Sequence, residues 1–560
     1  MALLSTRLLT CVWWDRTTGA PGMYLLSVGT NQNLTQLSDR ARPISWRLLG
    51  HWSHFSMLRA RLKSTLAAVA TEAAPCLRDI PVAPETGFGP LRSSYAYFAE
   101  SDGFRLLFER FHKLHTSLGP IYRLRFMPFQ PYTVSISDPD AAAEIYRHEG
   151  AMPQRQTFDF WKLYRDERNL PVGLANTNEY AVWKKYRLSL GAHLLQPHNV
   201  GTWVPRVDAV ANDLAARVCA QASASSTGEV PVTLLTKAFA LEAVSSLVFG
   251  KRMGCLSPDH LTPIAPTAQA LISAVDGFFA TSQQLMAVPP KAPLFVYKLL
   301  PAYKEHVMHS DYIFRLGHEM VQEKLASTEV TAPDLLTMFL QRPELDETDA
   351  ITQAIEILFG GVDTTSIALL WSLYCIATSP HSREIQLKMR AEVESILDGA
   401  TEFDAAAHEK LSYIRAVVKE TLRLYPAANP NQRILSQDMT VLGYDIPKGT
   451  SVMMATYTMS RDPAVFDEPE IFKPERWIDR DHATPAARKK KAYSTLPFGM
   501  GSRSCIGRRL AETEIYLALA HLVRRMEMQW IPEETHPKPI LQLLLVPNKP
   551  LTLRFQPWTT

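Results

Sequence analysis

Residues 346–378 set the first limit on the fold. The stretch contains no proline, is apolar on every side, and stops at Ser379-Pro380. As a single helix it would be roughly 50 Å long, at about 1.5 Å per residue. A helix with no polar face does not sit on a surface, so this one is expected to cross the core.

Around it the pattern is rich in helices. Residues 121–126 and 132–137 predict two strands around a turn. Helices are expected over 182–195, over most of 207–324 with a break near Pro289, Pro290 and Pro293, and over 411–425, where Pro426 stops the last one. Another runs from near Cys505 to about Met526, and hairpins are expected around Pro447-Lys448-Gly449 and Pro547-Asn548-Lys549-Pro550. The fold class is mainly α with small β-sheets (α+β). A net charge of +3 on 560 residues is too small to argue for nucleic acid. Six scattered cysteines without C-x-x-C suggest neither a disulfide framework nor a zinc site. Cys11, Cys76, Cys219, Cys255 and Cys375 are expected to be small buried hydrophobes.

The N-terminus has a different composition. Between Met1 and Lys63 there are eight basic residues (Arg7, Arg16, Arg40, Arg42, Arg47, Arg59, Arg61 and Lys63), while only Asp15 and Asp39 are acidic. Serine is frequent, as in an organelle transit peptide. As a helix, residues 57–70 set Arg59 and Lys63 to one side of Leu58, Leu62 and Leu66. Residues 1–83 are therefore expected to be a mitochondrial transit segment and poorly ordered N-terminal region, with Met57 an alternative start, and residues 84–560 one domain. Asn33-Leu34-Thr35 matches a glycosylation acceptor, but its context is not secretory.

The chemistry centres on Phe498-Gly-Met-Gly-Ser-Arg503-Ser-Cys505-Ile-Gly507-Arg508-Arg509. The glycines permit unusual backbone angles and close approach to a flat cofactor. Cys505 sits where a helix begins, and the helix end with Arg503, Arg508 and Arg509 is expected to favour thiolate. A thiolate on haem iron donates electron density. Phe498 is placed to shield the sulfur, and Arg503 to reach a propionate.

This F-x-x-G-x-R-x-C-x-G spacing resembles the haem-binding signature of the cytochrome P-450 family. The resemblance implies haem b held by Cys505 as axial ligand, in a single haem domain with a long central helix. Three further constellations match the family in order. Gly360-Gly361-Val362-Asp363-Thr364-Thr365 is similar to its oxygen-activation motif. There a local opening of the helix makes room for dioxygen, Thr364 hydrogen-bonds it, and Asp363 relays protons. Lys419-Glu420-Thr-Leu-Arg423 with Phe472-Lys-Pro-Glu-Arg476-Trp477 resembles a buried network of Glu420, Arg423 and Arg476 that fixes the thiolate loop. Trp183-x-x-x-Arg187, together with Arg433, resembles the propionate-binding positions.

Arg508 and Arg509, with Arg415-x-x-x-Lys419, resemble the mitochondrial branch, where a basic patch docks an acidic ferredoxin. The implied partners are an adrenodoxin-type two-iron two-sulfur (2Fe-2S) ferredoxin, with ferredoxin reductase and NADPH upstream. Segments such as Phe160-Trp-Lys-Leu-Tyr-Arg-Asp-Glu-Arg and Gly250-Lys-Arg-Met-Gly-Cys255 resemble the sterol 27-hydroxylase and vitamin D hydroxylase group. Cholesterol side-chain-cleaving and steroid 11β-hydroxylating enzymes are less closely similar. The resemblance implies hydroxylation of a lipophilic sterol, steroid or secosteroid. The protein would be peripheral on the matrix face of the mitochondrial inner membrane, dipping apolar surface near Pro289 into the lipid. The pocket is expected from the segment after Ala151, from residues 278–303, 355–361 and 543–546, and from 427–432, which is more polar than the family pattern. Two rival readings are a haem-thiolate isomerase or dehydratase, which needs no electrons, and a non-catalytic haem- or lipid-binding protein. Asp363, Thr364 and the basic patch speak against the isomerase.

Overall fold

In a computed structural model the described residues are 8–14, 21–27, 76–84, 101–102, 104–126, 131–257, 259, 261–288, 292–326, 334–478 and 484–559. They divide into two units, Met1–Ala73 and Ala74–Thr560. In the first, Leu8–Trp14 pairs antiparallel with Pro21–Ser27. The helix expected over 57–70 lies outside the described residues.

The second unit is built around the helix Glu347–Thr378. The Asp346 carboxylate starts it by accepting the Asp349 N–H at 2.8 Å, satisfying one of the donors that every helix N-terminus leaves open. Ser379-Pro380 ends it. It is long and apolar enough to cross a membrane, but most of its residues are buried in the core. The helix Val232–Val248, apolar almost throughout, and the helix Arg508–Arg525 pack against it. The expected 207–324 stretch resolves into Val200–Ala224, Val232–Val248, Pro266–Leu285, Leu294–Leu299 and Pro301–Ala326.

A four-stranded sheet flanks the helices. Ile121–Leu124 pairs antiparallel with Thr133–Ile136, which runs parallel to Ser451–Met454. Asn431–Ile434 then pairs antiparallel with Ser451–Met454, in a register that sets Arg433 opposite Val452. Neither predicted hairpin forms where it was expected. The tight turns fall at Leu442-Gly443, joining Met439–Val441 to Tyr444–Ile446, and at Leu543, joining Pro539–Gln542 to Leu544–Pro547. All three turn residues take positive φ. The Pro-rich segments instead carry the chain from one sheet to another. Cys255 and Cys375 are buried as expected and Cys219 is half-buried, but Cys76 is exposed, in a short segment at the edge of this unit.

Candidate active site

Two glycines shape the loop before the helix Arg508–Arg525. Gly499 and Gly501 have φ of +67° and +74°, where side chains are strained. A Cβ on Gly501 would also lie 2.0 Å from Glu149 Oε1. So turned, the chain lets the Cys505 N–H donate to the Phe498 carbonyl at 2.8 Å and places Cys505 just before the Gly507 N-cap. Burial pushes the Cys505 thiol pKa up; the Gly507 backbone N–H, Arg187 and Arg508 act the other way. The charges that lower it are those of Arg187 and Arg508, where the sequence pointed to Arg503, Arg508 and Arg509. Cys505 is nonetheless exposed. Being both deep and exposed, it borders an interior cleft, not the outer surface.

Four arginines converge here. Arg187, on the helix Tyr180–Leu194, donates from Nη1 to the Ser504 carbonyl at 2.8 Å. Arg503 donates to the carbonyls of Pro153 (3.0 Å) and Thr177 (2.6 Å), and its guanidinium faces the buried Trp183 ring at 5.2 Å. Its Nη1 is buried without a hydrogen-bond partner among the described residues. Arg433 pairs with Glu149 at 2.7 Å and donates to the Met500 carbonyl at 3.0 Å. Arg155, which no sequence motif marked, donates to the Ala175 carbonyl. Burial, and then the other arginines, lower the pKa of Arg503 to about 9. Burial and then Arg433 lower that of Arg155 to about 10. Glu149 was not expected either. Besides holding Arg433 it accepts the Ser502 N–H at 3.2 Å, so it pins the loop. Neither residue belongs to a spacing motif, so nothing local signalled them.

On the central helix, Glu356, Ile357, Phe359, Gly360, Gly361 and Thr364 break an otherwise buried run. Glu356, Gly360 and Thr364 are four apart, so they share one face, which borders the interior. The helix does not open at the glycines, contrary to the expectation from the sequence. It is α-helical from Glu347 to Thr378, and Thr364 Oγ1 donates to the Gly360 carbonyl at 2.8 Å. Room comes from missing side chains instead: a Cβ on Gly360 would meet nothing within 4 Å, whereas one on Gly361 would press Val244 Cγ2 at 3.0 Å. Asp363 points away from this face. It lies 3.7 Å from Lys237 Nζ, which also pairs with the part-exposed Asp276. Burial, opposed by Lys237, pushes the Asp363 carboxyl up to about 7.

The structure brings Glu420, Arg423 and Arg476 together. Glu420 and Arg423, both 0% exposed, form a two-point pair at 2.7 and 2.9 Å. Glu420 also accepts from Arg476 Nε at 2.9 Å, Trp477 Nε1 at 2.8 Å and the Lys473 N–H at 3.0 Å. Arg423 further donates to the carbonyls of Ser460, Pro469 and Ile471.

The expected basic patch is less free than its sequence suggests. Arg508 is exposed but pairs with Glu512 at 3.0 Å, and its guanidinium faces Phe498 at 5.5 Å. Arg509 donates to the Leu195 carbonyl at 2.8 Å. Arg415 donates to the His408 carbonyl at 3.0 Å and faces the Tyr516 ring. Lys419 is half-buried. Arg415, Arg508 and Glu512 all lie near Tyr516.

These residues fit haem b. A cysteine bordering the cleft can meet an iron, and four arginines with one carboxylate among them suit a cofactor carrying two carboxylates. Among the described residues Arg503 Nη1 still has no acceptor. The Cytochrome P-450 family profile matches residues 96–555. The chain is 32% identical over 471 residues to "Cholesterol side-chain cleavage enzyme, mitochondrial" of Oncorhynchus mykiss, covering 82% of this chain and 87% of that protein. It is 30% identical over 548 residues to "Sterol 26-hydroxylase, mitochondrial" of Rattus norvegicus, covering 93% and 99%. To the Homo sapiens protein of the latter name it is 30% identical over 481 residues, covering 83% and 87%. The chain belongs to the cytochrome P-450 family, in its mitochondrial branch, and is a monooxygenase that binds haem b.

Proposed function

We propose that the protein inserts one oxygen atom of O2 into a C–H bond of a sterol-like lipophile in mitochondria. NADPH electrons would reach it through ferredoxin reductase and an adrenodoxin-type 2Fe-2S ferredoxin. The observation that carries this is Cys505 bordering an interior cleft among Arg155, Arg187, Arg433 and Arg503, in a unit whose central helix turns Thr364 inward. The names of the relatives supply the sterol class and the organelle.

Haem, when bound, would supply dioxygen binding and one-electron chemistry, with electron density donated by a cysteine thiolate. Cys505 would hold its iron. Trp183, Arg187, Arg433 and Arg503 would hold its propionates, Phe498 would cover the sulfur, and Gly507 leaves the helix start free of a side chain. Glu420, Arg423 and Arg476 fix the loop from outside the cleft. Thr364 Oγ1 stands on the accessible face with its proton resting on the Gly360 carbonyl. Asp363, behind it, takes protons from the Lys237–Asp276 pair, whose Asp276 is part-exposed. With its pKa near 7 it can both accept and release them. Arg508 docks the ferredoxin, with Arg415, Lys419 and Arg509 adding local positive field. Leu294, Phe295 and Leu299, 49%, 63% and 72% exposed, make the peripheral membrane contact on the matrix face of the inner membrane.

The test is reconstitution of haem-loaded protein with ferredoxin, reductase, NADPH and sterols. Hydroxylated sterol that forms only when ferredoxin is present supports the reading. Turnover without electrons would make the protein an isomerase or dehydratase, and sterol binding without turnover a carrier.

A further inference from the structure

One polar constellation beside the central helix has no part in the chemistry above, and its Glu356 side chain keeps 14% exposure. Glu356 lies eight positions before Thr364 on the same helix face. It pairs at 2.5 Å with Arg165 of the helix Asp159–Arg168; the side chains are 14% and 9% exposed. The segment at Gly173-Leu174 is folded tightly over this carboxylate. A Cβ on Gly173 would lie 1.7 Å from Glu356 Oε1, and the Leu174 N–H is directed at Glu356 and at Gln353 Oε1. Two donors in this group, Arg165 Nη1 and Gln353 Nε2, are buried without hydrogen-bond partners among the described residues. Buried donors are nearly always satisfied, so two orphans beside one carboxylate call for a ligand or ordered water. The Arg165 guanidinium does rest on the Phe314 ring at 4.2 Å, but a ring face is not a hydrogen-bond acceptor of comparable strength.

Resting on the monooxygenase reading, we propose that Arg165, Gln353 and Glu356 form a polar subsite that binds a hydroxyl group at the far end of the lipophilic substrate. The charges select the ligand. A carboxylate would be repelled by Glu356 and an ammonium by Arg165, while the pair as a whole is neutral. A hydroxyl can accept from Arg165 or Gln353 and donate to Glu356. A ketone can only accept, and leaves the carboxylate unserved. Position selects the geometry. Eight residues of helix place the subsite about 12 Å along the axis from Thr364, so the attacked carbon lies about that far from the hydroxyl. Glu356 and Arg165 thus act as specificity residues, remote from the reacting atoms.

The experiment titrates haem-loaded protein with a matched sterol series (3-hydroxy, 3-oxo and 3-deoxy), reading the substrate-induced haem spectral shift. The thiolate-type ferrous–CO band is recorded on the same samples. Wild type should bind the hydroxy compound at least about tenfold more tightly than the deoxy one, as a hydrogen bond to a charged group allows, with the oxo compound between. E356Q should compress that ratio. Because E356Q leaves Arg165 without its ion partner and can fail to fold, the neutral double variant R165Q/E356Q is the control, and it should bind hydroxy and deoxy sterols alike. Equal affinities in wild type, or an unchanged ratio in the double variant, would overturn the subsite while a normal ferrous–CO band leaves the monooxygenase reading standing. A wild type without that band sinks the monooxygenase reading instead. One that has the band and binds none of the series sinks both the sterol class and the subsite.

Discussion

Glu420 and Glu356 are both carboxylates drawn into one fold, and their surroundings are opposites. Glu420 receives Arg423, Arg476, Trp477 and a backbone N–H, and its partner Arg423 has donors on three further carbonyls. Around Glu356, Arg165 Nη1 and Gln353 Nε2 have no hydrogen-bond partner among the described residues, and burial holds the Glu356 carboxyl above its ordinary range despite Arg165. A saturated network has one arrangement and resists change; an unsaturated one has capacity for a guest. The first suits a support that keeps a cysteine loop fixed, the second a surface that greets substrate.

If that contrast is right, damage on the two sides should differ in kind. The largest effect is expected at the loop itself. Cys505→Ala should abolish the thiolate-type ferrous–CO band and all turnover; a retained band would show that another residue is the ligand. Next comes the saturated network. Glu420→Gln should cost about 3–5 kcal/mol, the usual result of removing one partner of a buried pair, and it should lower haem content, read by denaturant unfolding and haem-to-protein ratio. Full haem occupancy with unchanged stability would erase the distinction between the two carboxylates.

On the cleft side the fold should survive while chemistry suffers. Thr364→Ala should keep haem content and sterol affinity, yet yield at least about tenfold less product per NADPH, short of the 10²–10⁴ a positioned proton donor can supply. Normal coupling would leave Thr364 only its bond to Gly360. Asp363 adds a pH signature. Its carboxyl is raised from 3.8 to about 7 in the folded protein. Between those values the fold holds a proton the unfolded chain has lost, so the stabilisation from this group is full below about pH 4 and fades as pH rises to about 7. Asp363→Asn should flatten that part of the stability profile, as measured by unfolding at several pH values. The same slope in both proteins would assign it elsewhere. The smallest effect is expected outside both regions. Arg508→Gln should raise the apparent KM for ferredoxin about two- to threefold, since an exposed charge contributes about 0–1 kcal/mol. Unchanged kinetics at low salt would remove Arg508 from the docking surface.

Local pattern carried much of this. The apolar run 346–378 dictated a core-crossing helix whatever surrounded it, because no face could meet water. The spacing of Phe498, Arg503, Cys505 and Gly507 marked the loop, and Glu420 with Arg423, three apart, had to share a helix face. These features depend on residues near one another in sequence, where helix periodicity and glycine's backbone freedom act directly. What the sequence left open depends on segments that meet only after folding. Glu149 and Arg155 reach Arg433 and the loop from several hundred residues away. Arg165 meets Glu356 across 191 positions. Likewise Arg509 is lost to the Leu195 carbonyl and Asp363 turned toward Lys237. Partner choice and burial set charge, free donors and pKa, and both are properties of the packed fold, so they were decided there.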